Sequence, residues 1–240
     1  MTSLLSEVLE AHGGLGRWRR FTTVTATLVS DGELFAAKGL PRDLRPRRMT
    51  VDLHEEHASV RPFGAPDQHT DFTPGRIAIE RADATVVAER LEPREAFAGH
   101  TLETPWDPLD RAYFNGYALW TYLTTPFFMT MDGMVVAETE PWHESPTECW
   151  RGLRVTFPEG IASHSTVQDF YFGDDRLLRR HDYHVDIAGG CAAAQYVDGI
   201  EEADGIRFPT RRRAYLRQPD GRPDHDHVMV SIDLGDVHYA

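Results

Sequence analysis

Apolar and polar residues alternate with a period of two along most of this chain, the pattern of half-buried β-strands. Thr22 to Ser30 is rich in Thr and Val and reads as a strand. Asp31-Gly32 signals a hairpin, with Glu33 to Gly39 as the returning strand. MTVDLH and ASVRPF alternate in the same way, with Glu55-Glu56 turning one into the other, and Arg76 to Glu80 and Thr85 to Leu91 follow. After a loop over 92–106 and a central apolar stretch, the pattern resumes. Further strands are expected over Met134–Glu140, Trp150–Phe157, Ser163–Phe172, Leu177–Ile187, Gln195–Glu201, Ile206–Leu216 and Val228–Leu234. The connections are too short for crossover helices, so the sheet is antiparallel.

Two stretches depart from the alternation. Residues 3–12 form an amphipathic helix with Leu4, Leu5, Val8 and Leu9 on one face, Ser3 as its cap and Gly13-Gly14 as its stop. Leu15, Trp18 and Phe21 dock the turn that follows. The second stretch, Tyr113 to Met131, holds seven aromatics in nineteen residues and no charge. Tyr113, Tyr117 and Trp120 fall on one helical face. Asp107 or Asp110 caps the start with Pro108 in the first turn, and Pro126 ends the helix near Thr125. Phe127, Phe128, Met129 and Met131 continue as an apolar strand or loop. This helix is too short, and too rich in Tyr and Thr, to span a bilayer.

Composition narrows the function classes. A formal charge of -13 gives no basic face for a phosphate backbone, which excludes nucleic acid as the expected partner. The N-terminal MTSLLSEVLEAHGG carries acids where a signal peptide carries bases, so a cytoplasmic location is expected. Cys149 and Cys191 lack CxxC spacing and read as free thiols rather than a disulfide or zinc framework. With no linker, repeat or low-complexity run, residues 1–240 read as one domain.

The order of elements is an N-terminal helix, a meander, a central helix and a longer second meander. The segments EVLEAHGGLGRW, GYALWTYLTTPF, PWHESPTECWRGLRVTFP, IASHSTVQDFYF, RRHDYHVDIAGG and GIRFPTRRRAY carry a similarity to a group of uncharacterised bacterial proteins without a signal peptide. The architecture resembles that of the lipoprotein-carrier (LolA/LolB-like) superfamily. The resemblance implies an α+β fold: a strongly curved antiparallel half-barrel of about ten to twelve strands wrapped around a central helix, with an N-terminal helix. It also implies a cavity for an apolar small molecule. Tyr113, Tyr117, Trp120, Phe127, Phe128 and Met131 are the expected lining, and Trp142 and Trp150 an aromatic rim.

Candidate chemistry concentrates after position 140. His164, Asp169, Tyr171, His181 and Tyr183 lie on two strands of an expected hairpin, where they could serve as general acids and bases. Alternation puts His164 with Thr166, Gln168 and Phe170, leaving Asp169 and Tyr171 on the other face; His181 and Tyr183 point inward. The alternative to simple binding is therefore a cofactor-independent cyclase, isomerase or hydrolase of specialised metabolism. HDYH (181–184) and DHDH (224–227) match no metal-site spacing, and no nucleotide fingerprint or GxSxG is present, so neither metal nor cofactor is expected. In Arg211-Arg212-Arg213 the side chains alternate in direction. Such a run pairs with sheet carboxylates, or turns one Arg inward to hold an acidic head group.

Overall fold

The computed structural model describes residues Met1–Ala240. Helix α1 (Ser3–Ala11) buries Leu4, Leu5, Val8 and Leu9, and is capped by Thr2, whose hydroxyl accepts from Leu5 N, rather than by Ser3. A short helix, α2 (Leu15–Trp18), presses Trp18 onto Phe127 with the rings stacked at 4.3 Å. The strands are β1 (Thr23–Asp31), β2 (Arg47–Asp52), β3 (Ala58–Arg61), β4 (Gln68–Thr73), β5 (Arg76–Arg81) and β6 (Val86–Leu91), then β7 (Val135–Ser145), β8 (Glu148–Thr156), β9 (Val167–Phe172), β10 (Leu178–Val185), β11 (Cys191–Ala203), β12 (Ile206–Leu216) and β13 (Val230–Tyr239). All thirteen form one open sheet in the order β6-β5-β4-β3-β2-β1-β13-β12-β11-β10-β9-β8-β7. Every neighbouring pair is antiparallel. The fold class is thus α+β, with a sheet slightly larger than expected.

Three elements differ from the sequence expectation. Glu33–Gly39 is not a strand: Glu33–Ala37 forms a short helix, α3. Gly32 is the reason. Its φ of +127° and an approach of 2.3 Å between the position of a Cβ and Met229 O admit only glycine there. The chain then leaves the sheet, held by Glu33 N to Val228 O and Leu34 N to Met229 O, both 3.0 Å. β4 was not anticipated, because only Thr70 and Phe72 of its residues are buried. Phe127–Thr130 is a 3-10 turn rather than a strand or loop.

The long helix α4 (Pro108–Thr124) begins as its sequence dictates. Asp107 accepts from Asp110 N, the Asp110 side chain accepts from Asp107 N, and Pro108 follows the cap. It links the two edge strands β6 and β7 in sequence. Every residue from Asp110 to Thr124 is buried. One side of α4 contacts β2 to β6. On the other, Arg212 of β12 donates to Tyr122 O at 2.8 Å, and Tyr183 of β10 meets the Tyr122 hydroxyl at 3.4 Å. Arg111 is the last charged residue before Asp132, so a polar backbone is satisfied internally while uncharged side chains fill the space on both sides.

Candidate functional site

Behind α4 lies a fully buried polar cluster. His164 does not sit on a strand; it belongs to the loop before β9, where Ser163 Oγ donates to Ser165 O and Ser165 Oγ to Val167 O. These local bonds bend the backbone away from the ladder. The ring nonetheless points inward. Its Nδ1 lies 3.2 Å from the Tyr117 hydroxyl and its Nε2 2.8 Å from that of Tyr122. It stacks on the Tyr183 ring at 4.0 Å. His181 stacks on Phe170, also at 4.0 Å, and its Nε2 donates to Gln168 Oε1 at 2.6 Å. The Gln168 amide NH₂ donates to Ser165 O, which fixes its carbonyl toward His181; the imidazole is therefore the Nε2–H form, and Nδ1 is left without a partner. Arg212 donates to Gln195 Oε1 at 2.9 Å and to Tyr122 O, and its guanidinium covers the Tyr122 ring.

Burial sets the charge states. It lowers the His164 pKa to about 3, aided by Arg94, and pushes His181 well below its ordinary range. Both rings are neutral at pH 7. Tyr117 and Tyr183 are raised well above the usual phenol value by the same burial. Burial lowers Arg212 to about 10, so it stays a cation, with no carboxylate beside it.

Three of the five candidate acid–base residues, His164, His181 and Tyr183, come together. Asp169 and Tyr171 do not join them. Asp169 pairs with Arg154 through two bonds of 2.8 Å. Tyr171 lies 5.9 Å from the Arg180 guanidinium, in an outer cluster that also contains Trp142, whose ring is 4.0 Å from it. The period of two puts them on the opposite face from Gln168 and Phe170. Arg180 is fully covered there, paired to Asp182 at 2.6 and 2.7 Å and bonded to the Tyr196 hydroxyl and Gly221 O. Trp150 meets Tyr196 with ring centroids 6.0 Å apart, so both tryptophans brace this outer cluster rather than the rim of an interior space.

The remaining aromatic candidates lie inside. Trp120 donates to the carbonyls of Asp52 and Glu55 at 3.1 and 2.8 Å. Phe128 stacks on Phe157, with Tyr113 and Tyr117 further along α4 and Met131 partly buried at the end. The space against α4 is not solid. A cavity of 30 Å³ lies between Phe114, His164 and Tyr183 on one side and Leu34, Ala193, Ala214 and Met229 on the other. A smaller one of 10 Å³ lies between Asn115, Ala118 and Tyr122 of α4 and Leu28, Phe35 and Ile232. Phe114 and Val230 border both. A separate pocket of 590 Å³ opens to solvent between Pro74-Gly75, Arg94, Tyr113 and residues 157–163. Behind its wall Glu56 accepts from Ala162 N at 2.8 Å, and burial raises its carboxyl well above the ordinary value.

Sequence reasoning missed Tyr122 and Gln195 and left open which Arg of the 211–213 run turns inward; it is Arg212, and the three residues come from three separate elements. It also missed Arg111 and Asn115, one turn apart on a buried helix; a cation and an amide amid its aromatics were the available signal.

No protein-family model and no curated protein sequence matches the chain. Solved structures do. A DUF1329 family protein from Desulfovibrio piger is similar over 99% of this chain and 94% of its own, at 12% identity and a TM-score of 0.55. A LolA superfamily protein from Nitrosomonas europaea is similar over 96% of this chain and 90% of its own, at 11% identity and a TM-score of 0.52. The chain therefore has a LolA-like fold, and at these identities the likeness concerns the fold alone.

Proposed function

We propose that the protein binds a hydrophobic small molecule beside α4, against β11 to β13. In this reading residues 1–240 act as one LolA-like domain whose sheet curves as a half-barrel round the helix. The observation that carries it is the pair of apolar cavities that meet at Phe114 and Val230. Their outer wall is α3, which brings Leu34 to one and Phe35 to the other. Five helical residues held by a few backbone bonds form a weak element whose outward movement merges the cavities. The opposite side of α4 is packed by stacked rings, so Trp120, Phe127 and Phe128 serve as core there. Tyr183 lines the larger cavity and Tyr122 the smaller. The catalytic alternative finds no open base here: both nitrogens of His164 are occupied by tyrosine hydroxyls, and His181, whose Nδ1 has no partner, is fully buried and lines neither cavity.

Filling the larger cavity tests the reading. Ala214→Phe should abolish enhancement of N-phenyl-1-naphthylamine fluorescence while leaving the circular dichroism spectrum unchanged. An unaltered protein that never binds the probe, or a filled variant that binds it equally well, would refute the proposal. Native mass spectrometry of protein purified from its own host should show a co-purifying apolar mass.

A further inference from the structure

We infer that the ligand carries an anionic head group, a carboxylate or phosphate, held at the solvent end of α4 by Arg111, Arg45 and Arg47; this rests on the apolar-ligand reading above. A pocket of 190 Å³ opens there, lined by these three arginines, Asp43, Leu40 and Phe63 among others. In a chain of formal charge -13, three guanidinium groups against one carboxylate is a local reversal of sign. Asp43 is already engaged by Arg45 at 2.8 Å and by Arg47 at 2.5 Å. No carboxylate bonds Arg111; Asp43, held by the other two arginines, acts on it only through space. The Arg111 side chain is 5% exposed, its one hydrogen bond is a long 3.4 Å contact to Pro41 O, and its Nε has no partner. Burial and the neighbouring Arg47 lower its pKa to about 10, which leaves it cationic at neutral pH. A buried cation without a bonded counter-ion is costly, and an incoming oxyanion relieves that cost.

The pocket leads toward the apolar cavities. The Arg111 guanidinium lies over the Phe35 ring at 4.3 Å, and the same ring lines the 10 Å³ cavity. One turn along α4, Asn115 borders that cavity with its amide Nδ2 unpartnered. An amphiphile with its head at Arg111 and its tail past Phe35 therefore meets a second free donor and then the space shared by Phe114 and Val230. The order of chemistry along α4, from cation to amide to apolar wall, matches that of an acidic amphiphile from head to tail.

Paired probes test this by calorimetry at pH 7.5: dodecanoate and dodecyl phosphate against the neutral dodecanol. The unaltered protein should bind the anions roughly 10- to 100-fold more tightly than the alcohol, the size of one or two charge-assisted hydrogen bonds. Arg111→Met should erase that preference while dodecanol affinity holds. If that variant does not fold, Arg45→Gln, at an exposed side chain, should reduce the preference. Equal binding of alcohol and anions by the unaltered protein overturns the head-group site and leaves the apolar reading standing. Binding of none of the three overturns both. Stabilisation by inorganic phosphate without binding of any dodecyl probe shows a free-anion site and overturns the head-group assignment.

Discussion

His12 ends α1 with its ring edge-on to Phe172 at 6.2 Å and its Nδ1 donating to Val8 O at 2.8 Å. It is completely buried, and that burial lowers its pKa from 6.5 to about 4. His164 is lowered further, to about 3, for the same reason. Both are neutral in the fold and both regain an ordinary pKa when the chain unfolds. Below pH 6.5 the unfolded state takes up protons that the folded state refuses. Stability is therefore full above that pH and declines toward the folded values, by up to about 1.4 kcal/mol per pH unit for each ring. For His12 alone the loss should reach roughly 3 kcal/mol by pH 4. Urea titrations from pH 7 to 4 should show this decline, and His12→Asn should remove one proton's share of the slope. An unchanged slope in the variant would exclude His12 as a source.

Among the elements, α4 owes its placement against the sheet to one missing side chain. Gly116 sits in mid-helix, where glycine costs about 1 kcal/mol relative to alanine. A Cβ there would lie 2.2 Å from Phe72 Cγ and 2.7 Å from Phe72 Cβ. Gly116→Ala should therefore destabilise by about 1–3 kcal/mol despite the better helix former. The loss in Gly116→Ala/Phe72→Ala, where the Cγ that would clash is gone, should be smaller than the two single losses added together, a coupling that thermal denaturation of all four proteins measures. The same helix shows how far the sequence could be read. Its ends were legible because Asp107, Pro108 and Pro126 act locally, through a cap and two fixed backbone angles. α3 was not legible, since Asp31-Gly32 reads as a hairpin turn, and what redirects the chain there is contact with Met229 and Val230, far away in the sequence. The inward direction of His181 and Tyr183 followed from alternation, but their company did not. Arg180 to Val185 pair with Cys191 to Tyr196, and Ala193 to Ala203 with Ile206 to Leu216; only that register brings Gln195 and Arg212 to Tyr122. Asp169 and Tyr171 share the chemistry of the interior cluster and lie across the sheet from it, a separation of faces that residue type alone does not reveal.

At the scale of the whole molecule, β13 is the strand on which the sheet depends. It pairs with β1 on one side and β12 on the other, so it alone joins the strands before α4 to those after it. The joint is tight: Thr23 N donates to Ala240 O at 3.0 Å and Ala240 N to Thr23 O at 2.9 Å. Tyr239 packs beside Trp18 and Phe208, and its backbone N–H donates to Asp204 at 3.1 Å. Val230, Ile232, Val237 and Tyr239 all face the core. Without β13, β1 and β12 become bare edges, and α4 loses the Val230 and Ile232 wall beside it. Neither half could then cover its apolar face, because α4 packs against strands of both. A chain ending at residue 229 should accordingly be insoluble or lack near-ultraviolet circular dichroism, not leave two folded halves. The intact chain should unfold in one transition, with tryptophan fluorescence and far-ultraviolet circular dichroism giving the same midpoint. The tryptophans make this a fair test: Trp18 and Trp120 report on the core around α4, Trp142 and Trp150 on the β7–β8 edge. Separate midpoints would mean that the two meanders fold independently and that β13 only tethers them.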